Sequence, residues 1–182
     1  MTLEDISAKL PDYAKDLRLN ISSVLRQTEL TEQQLWGTAV AGAIAARNPD
    51  LIQAVVMEAS AHLSPVALNA AKAAAAVMGM NNIYYRFLHL ASNEKYASIP
   101  ARLRMQIIRS HGSDPIDFEL WCTAVSAVNG CGACVASHEQ VIRGKGVSED
   151  AIAAAVRIAS VMHAVATVLD AESALSCSAM VT

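Results

Sequence analysis

Residues 31–46 read TEQQLWGTAVAGAIAA, and residues 120–125 read LWCTAV. The first stretch announces a helix, because Thr31 followed three residues later by Gln34 is a capping-box pair set ahead of an apolar run. Leu35-Trp36-Gly37-Thr38-Ala39-Val40 matches Leu120-Trp121-Cys122-Thr123-Ala124-Val125 at five of six positions, at an offset of 85. The chain has only two tryptophans, and both fall inside this match. A second correspondence, weaker because alanine is so common, sets residues 64–80 against 148–164 at an offset of 84, with Val77-Met78 opposite Val161-Met162. The pattern reads as a duplicated helical unit, residues 30–95 and 115–172.

Composition points the same way. Alanine supplies 34 of the 182 residues, the aromatic share is 4%, and there are 8 Gly and 5 Pro. An all-β chain would lead with β-branched and aromatic residues, so the expected fold class is all-α, multihelical. A net charge of -3 argues against a nucleic-acid partner, which needs a basic surface. The acidic, amphipathic amino terminus lacks the apolar core of a signal peptide. The longest stretch free of charged residues and histidine, residues 120–137, is broken by Asn129, Gly130 and Gly132. It reads as a buried helix pair rather than a membrane span. Four cysteines are too few for a disulfide scaffold, and the expected compartment is the cytoplasm.

Start and stop signals divide the chain. Pro11 is expected to open a helix reaching about Gln27. Asn48-Pro49, Ser64-Pro65 and Asp114-Pro115 each pair a cap residue with proline at the first helical position. Ser148 with Glu149 and Asp150 starts another helix with negative charge in its first turn. Gly79, Gly130 and Gly144-Lys145-Gly146 are expected stops or turns. About nine helices result, with the longest connection expected at residues 92–100. The predicted segments are N-terminal helices (1–29), a first helical half (30–95), a connection (96–114), a second half carrying a CxxC site (115–172) and a tail (173–182).

The two halves differ where chemistry would sit. Gln34 stands opposite Glu119, and Ala46 and Pro49 stand opposite Cys131 and Cys134, so at these positions only the second half carries ionisable chemistry. With Gly130 ending one helix, Cys131 starts the next, where free N–H groups and the helix dipole favour a thiolate. Cys131, Cys134 and His138 fall within a stripe of about 60° on one helix face. Cysteines at this spacing can close a disulfide within one turn. If the chain reverses at Gly130, Glu119 lies about 15 Å back and His138 about 10 Å onward, close enough for a direct or water-bridged contact. A carboxylate orienting an imidazole that activates a thiol is the relay expected of a cysteine nucleophile. The dipole favours Cys131 as the more acidic thiol, whereas the four-residue spacing to His138 favours Cys134.

Other readings of these residues compete. Cysteines can be inert core residues. Structural zinc would need two more ligands at suitable spacing, and no second CxxC or histidine pair follows. A non-enzymatic zinc or thiol redox-sensing module therefore stands as an alternative to a redox-active dithiol. Cys122, mid-helix, is read as core, and Cys177 as a spare exposed thiol. His62, His89, His111 and His163 lack a partner motif and are assigned to the surface or to satisfied core positions. The Met and Ala runs at residues 77–80 and 161–162 are packing faces.

The Glu-x11-Cys-x2-Cys-x3-His arrangement resembles the alkyl hydroperoxidase D family, within the wider carboxymuconolactone decarboxylase-like group. The likeness extends to Pro11-Asp12-Tyr13-Ala14-Lys15-Asp16, Gln34-Leu35-Trp36-Gly37, Met78-Gly79-Met80-Asn81-Asn82 and Phe118-Glu119-Leu120-Trp121, and so to most of residues 1–172. The resemblance implies an all-α fold of two similar halves, assembling as a homotrimer. It implies an antioxidant thiol peroxidase that holds no bound cofactor and also re-reduces a partner peroxiredoxin. Electrons would come from dihydrolipoamide groups on a lipoyl-bearing acyltransferase, recharged by dihydrolipoamide dehydrogenase. By motif position, Cys134 would attack the peroxide and pass through a sulfenic acid. Cys131 would donate a proton and then resolve it as a Cys131–Cys134 disulfide, with His138 and Glu119 as the proton relay. Family members carry a histidine immediately before the second cysteine, and this chain has Ala133 there. A decarboxylase-like lyase on the same helical unit is the rival enzymatic reading.

Overall fold

The computed structural model describes residues 1–179, with side chains described through Ser176. The chain folds into α1 (Leu3–Lys9), α2 (Lys15–Val24), α3 (Glu32–Ala46), α4 (Pro49–Ala59), α5 (Pro65–Leu90), α6 (Glu94–Ala97), α7 (Ile107–Ser110), α8 (Pro115–Val128), α9 (Gly132–Gly144) and α10 (Glu149–Ala179). There is no strand among the described residues, so the all-α expectation holds.

The helices begin where side-chain oxygens replace missing backbone acceptors. Thr31 Oγ1 accepts from the Gln34 N–H at 3.2 Å while Gln34 Oε1 accepts from the Thr31 N–H at 3.1 Å, completing the capping box. Asn48 Oδ1 accepts from the Leu51 N–H at 2.9 Å, and Ser64 and Ser148 do the same for Ala67 and Ala151. Asp114 Oδ1 accepts from both Ile116 and Asp117.

Several expectations are corrected. Pro11 starts a 3₁₀ turn, Asp12–Ala14, and α2 follows it and ends at Val24 rather than near Gln27. Gly79 stops nothing: it lies inside the 26-residue α5. An interior glycine costs a helix about 1 kcal/mol. Burial of Ala74, Ala75, Met78 and Asn82 on the same helix outweighs that cost. The described residues form ten α-helices rather than nine, because α6 and α7 are single turns within a connection of residues 91–114.

Helix α3 is the centre of the molecule. Every residue from Leu35 to Ala43 is buried, and the helix packs against α4, α5, α8 and α10. A helix apolar on all sides can only sit inside a core. Its small residues allow close approach. A Cβ placed on Gly37 would lie 2.2 Å from the Trp121 ring, so glycine is the residue that lets this fully buried indole press on the α3 backbone. The indole N–H donates to the Gln34 carbonyl at 3.3 Å, fixing the ring's orientation. The two LWxTAV stretches thus lie on α3 and α8, helices packed on one another.

Local features recur in the two segments. Thr38 Oγ1 donates to the Gln34 carbonyl and Thr123 Oγ1 to the Glu119 carbonyl, at 2.6 and 2.9 Å. Ser64 and Ser148 cap the following long helices, α5 and α10. Asn48 and Cys131 are each the N-cap of the helix that follows, α4 and α9. Among the described residues, α10 contains the one stretch long and apolar enough to cross a membrane, residues 149–176, and half of its most apolar window is buried. It packs against α2, α3 and α8.

Gly37→Ala should destabilise the fold by about 1–3 kcal/mol through overpacking against Trp121. A urea midpoint equal to that of the unaltered protein would contradict this packing.

Candidate active site

The site forms at the turn between α8 and α9. Gly130 takes a left-handed conformation, φ 68°, that side-chain-bearing residues adopt reluctantly. Its N–H donates to the Ala127 carbonyl at 3.1 Å and the Cys131 N–H to the Ser126 carbonyl at 3.0 Å, the paired bonds of a Schellman stop. Cys131 is then at once the residue after one helix and the N-cap of the next. Its Sγ accepts from the Cys134 N–H at 3.3 Å, the role that Asn48 fills at α4. The two sulfurs lie at disulfide distance, with Cα atoms 5.3 Å apart.

The chain reversal lays α9 along α8 and brings Glu119 to His138. Glu119 Oε2 and His138 Nδ1 are 2.6 Å apart, and the side chains are 20% and 14% exposed. An ionised carboxylate can only accept, so Nδ1 is the donor of this bond, and in the neutral ring that leaves Nε2 with the lone pair. The four residues Glu119, Cys131, Cys134 and His138 are therefore gathered on one helical hairpin. The contact expected as direct or water-bridged is direct.

Helix α5 clamps this hairpin. Asn82, fully buried, donates to Ser126 Oγ at 2.9 Å and accepts from Asn129 Nδ2 at 2.9 Å. The Arg86 guanidinium donates to the Asn129 carbonyl. These residues hold the last turn of α8, and hence Gly130 and Cys131, against α5. The sequence motifs assign no role at the site to Asn82, Ser126, Asn129 or Arg86. The available signal was two adjacent asparagines inside an alanine-rich helix, where their propensity is poor.

A cavity of about 260 Å³ opens beside the thiols. Cys134, His138, Ser137 and Asn81 line it together with Ala133, Tyr85, Met105 and Ile108. Cys134 forms part of its wall, whereas Cys131 is fully buried outside the lining. Ala133, immediately before Cys134, is part of this lining. Met105 and Ile108 come from the connection before α8, a segment whose sequence carries no helical periodicity.

Cys122 is buried in the core as expected, and burial pushes its thiol well above the usual range, with the Glu119 charge adding to the effect. The Cys177 side chain lies outside the described part of the structure. His62 pairs with Glu32 at 2.7 Å and stacks on Trp36. His111 stacks on Phe118 and accepts from the Ser113 N–H, and burial lowers its pKa. His89 and His163 are exposed. Among the described residues, no group of three or more His, Cys, Asp or Glu side chains is placed to hold a metal ion.

A CxxC pair on a capped helical hairpin, backed by a Glu–His couple in a fold with no strand among the described residues, has counterparts among known proteins. The profile of the Carboxymuconolactone decarboxylase family matches residues 94–176. The alkyl hydroperoxide reductase AhpD of Solibacter usitatus is 67% identical over 172 residues, covering 94% of this chain and 97% of that protein. The AhpD of Acidobacterium capsulatum is 61% identical, with 94% of each chain covered, and that of Streptomyces avermitilis is 53% identical, with 97% and 99% covered. The chain belongs to the AhpD family.

Burial of Cys122 and exposure of Cys134 to the cavity predict unequal reactivity. At about pH 8, iodoacetamide should label Cys134 in the reduced native protein and leave Cys122 unlabelled until the chain is unfolded. Equal labelling of the two in the native state would contradict the assignment.

Proposed function

We propose that this chain is an antioxidant enzyme that reduces alkyl hydroperoxides with Cys134 as the attacking thiolate. The observation that carries the reading is the position of Cys134: it lines a largely apolar cavity on the same wall as His138, whose other ring nitrogen is held by Glu119. His138 Nε2 takes the proton of the Cys134 thiol. The thiolate sulfur bonds the terminal oxygen of the hydroperoxide, the O–O bond breaks, and the alkoxide leaves as an alcohol after receiving a proton. Cys134 is then a sulfenic acid. The Cys131 thiol attacks its sulfur, releasing water and closing the disulfide. The Cα atoms of the two cysteines are 5.3 Å apart, within the span a disulfide bridges.

The N-cap position of Cys131 supports a role as resolving thiol and proton donor. It is fully buried, beyond direct reach of a peroxide, yet its sulfur is turned toward Cys134. Turnover then needs an external dithiol, for which we propose dihydrolipoamide carried on an acyltransferase and renewed by dihydrolipoamide dehydrogenase. A peroxiredoxin is the proposed protein partner. The exposed apolar row Ile83, Phe87 and Leu90 on α5 supports self-association, for which we propose a trimer. A lyase acting on an acidic lactone would want a cationic anchor, and the residues lining the cavity include neither lysine nor arginine.

Purified protein should consume an organic hydroperoxide at the expense of dihydrolipoamide, and Cys134→Ser should abolish this. Glu119→Gln, which removes the charge that orients His138, should slow the reaction by about 10²-fold or more. Full activity in Cys134→Ser would overturn the mechanism.

A further inference from the structure

A second cavity, of about 280 Å³, shares no lining residue with the one beside Cys134. Three basic residues from different helices line it: Arg47 at the carboxyl end of α3, Arg86 on α5 and His163 on α10. The lining includes no carboxylate. Cationic residues of two other cavities share them with acids, Arg26 with Glu4 and Glu58, and Lys9 with Asp50, Asp170 and Glu172. Elsewhere Arg18, Arg143 and Arg157 each pair with a carboxylate, whereas Arg47, Arg86 and the His163 ring form no ion pair among the described residues. Arg86 is half-buried, and its guanidinium donates to the carbonyl of Asn129, itself a lining residue, which places the charged head at the cavity wall. A guanidinium has five N–H donors, and this is the one bond that Arg86 makes among the described residues. A charge drawn out of water without a counter-ion is costly. Arg47 holds φ 71° as the C-cap of α3, a left-handed position where glycine is the common choice.

We propose that this cavity binds the phosphate group of a small organic phosphate monoester. The guanidinium fork matches the oxygens of a phosphate, and a phosphate offers three terminal oxygens to donors arriving from three helices, where a carboxylate offers two. The rest of the lining is largely apolar, with Ala45, Ala46, Ile83 and Val128, and gives an attached organic group a surface to lie on. One water occupies about 30 Å³ of liquid, so a cavity of about 280 Å³ has room for the phosphate and that group together. In a chain of net charge -3, a cavity lined by bases without acids is a local attractor for anions. The proposal concerns binding alone and stands whatever the chemistry at Cys134. Ile83 also belongs to the exposed apolar row on α5 proposed for self-association, so a carboxylate of a neighbouring copy is the competing occupant.

The full chain, in the assembly it forms in solution, is titrated calorimetrically with phenyl phosphate, inorganic phosphate and benzoate at constant ionic strength. Phenyl phosphate should bind once per chain, and more tightly than either of the other two. Arg47→Asn removes the charge and leaves a residue that tolerates the left-handed conformation, and Arg86→Lys keeps the charge but loses the fork. Each should weaken phenyl phosphate binding by about tenfold. Arg26→Gln, in a different cavity, should bind as the unaltered protein does. If Arg86→Lys does not fold, Arg47→Asn decides the matter alone. Absence of saturable binding, benzoate bound as tightly as phenyl phosphate, unchanged affinity in Arg47→Asn, or an equal loss in Arg26→Gln would overturn the proposal. Light scattering reads the competing occupant: an assembly that falls apart in Arg47→Asn would give the cavity to a neighbouring copy and overturn the proposal as well.

Discussion

The structure of the site depends on one backbone constraint, the left-handed conformation of Gly130. It lets α8 end in two clean hydrogen bonds and turns the chain so sharply that the next residue already caps α9. Because that cap is a cysteine, its sulfur is placed at the amino end of a helix and held by the Cys134 N–H. The same reversal sets α9 alongside α8, so that Glu119 and His138, nineteen residues apart, meet at 2.6 Å. A helix cap, a neighbouring pair of cysteines and a carboxylate–imidazole contact thus follow from a single turn. The Asn82 and Arg86 contacts from α5 resist its opening.

That hairpin is in turn held against a core built for close approach. Gly37 lets Trp121 lie on the α3 backbone, and alanines along α3, α5 and α10 keep the neighbouring helices near. The alanine excess is therefore a packing device. It brings three long helices around α3 and leaves larger side chains, such as Met105 and Ile108, for the cavity wall.

Local signals were legible in the sequence, and long-range ones were not. Capping at Thr31, Asn48, Ser64, Asp114 and Ser148 depends on residues three positions apart, and each was readable from its own neighbourhood. The Glu119–His138 contact was also within reach, because one glycine fixes the turn between two helices of known rise. Gly79 misled, since its local preference for ending a helix is outweighed by burial that only the folded core supplies. Asn81 and Asn82 illustrate the limit further: they are adjacent and chemically identical, and only the packing of α5 on the hairpin separates the paired side chain from the unpaired one. Met105 and Ile108 lie in a connection without periodicity, so nothing local marked them as cavity walls.

The proposed chemistry makes Cys131 and Cys134 one two-electron redox unit whose partner on the outside is a peroxide. Reduced protein treated with an equimolar organic hydroperoxide, alkylated and digested, tests it by peptide mass. The expected product is a peptide containing Cys131 and Cys134 that is lighter by two hydrogens than its reduced form, with neither of these two cysteines alkylated, while Cys122 remains a thiol. Recovery of both cysteines as alkylated thiols after peroxide exposure, or oxidation located at Cys122 instead, would contradict it.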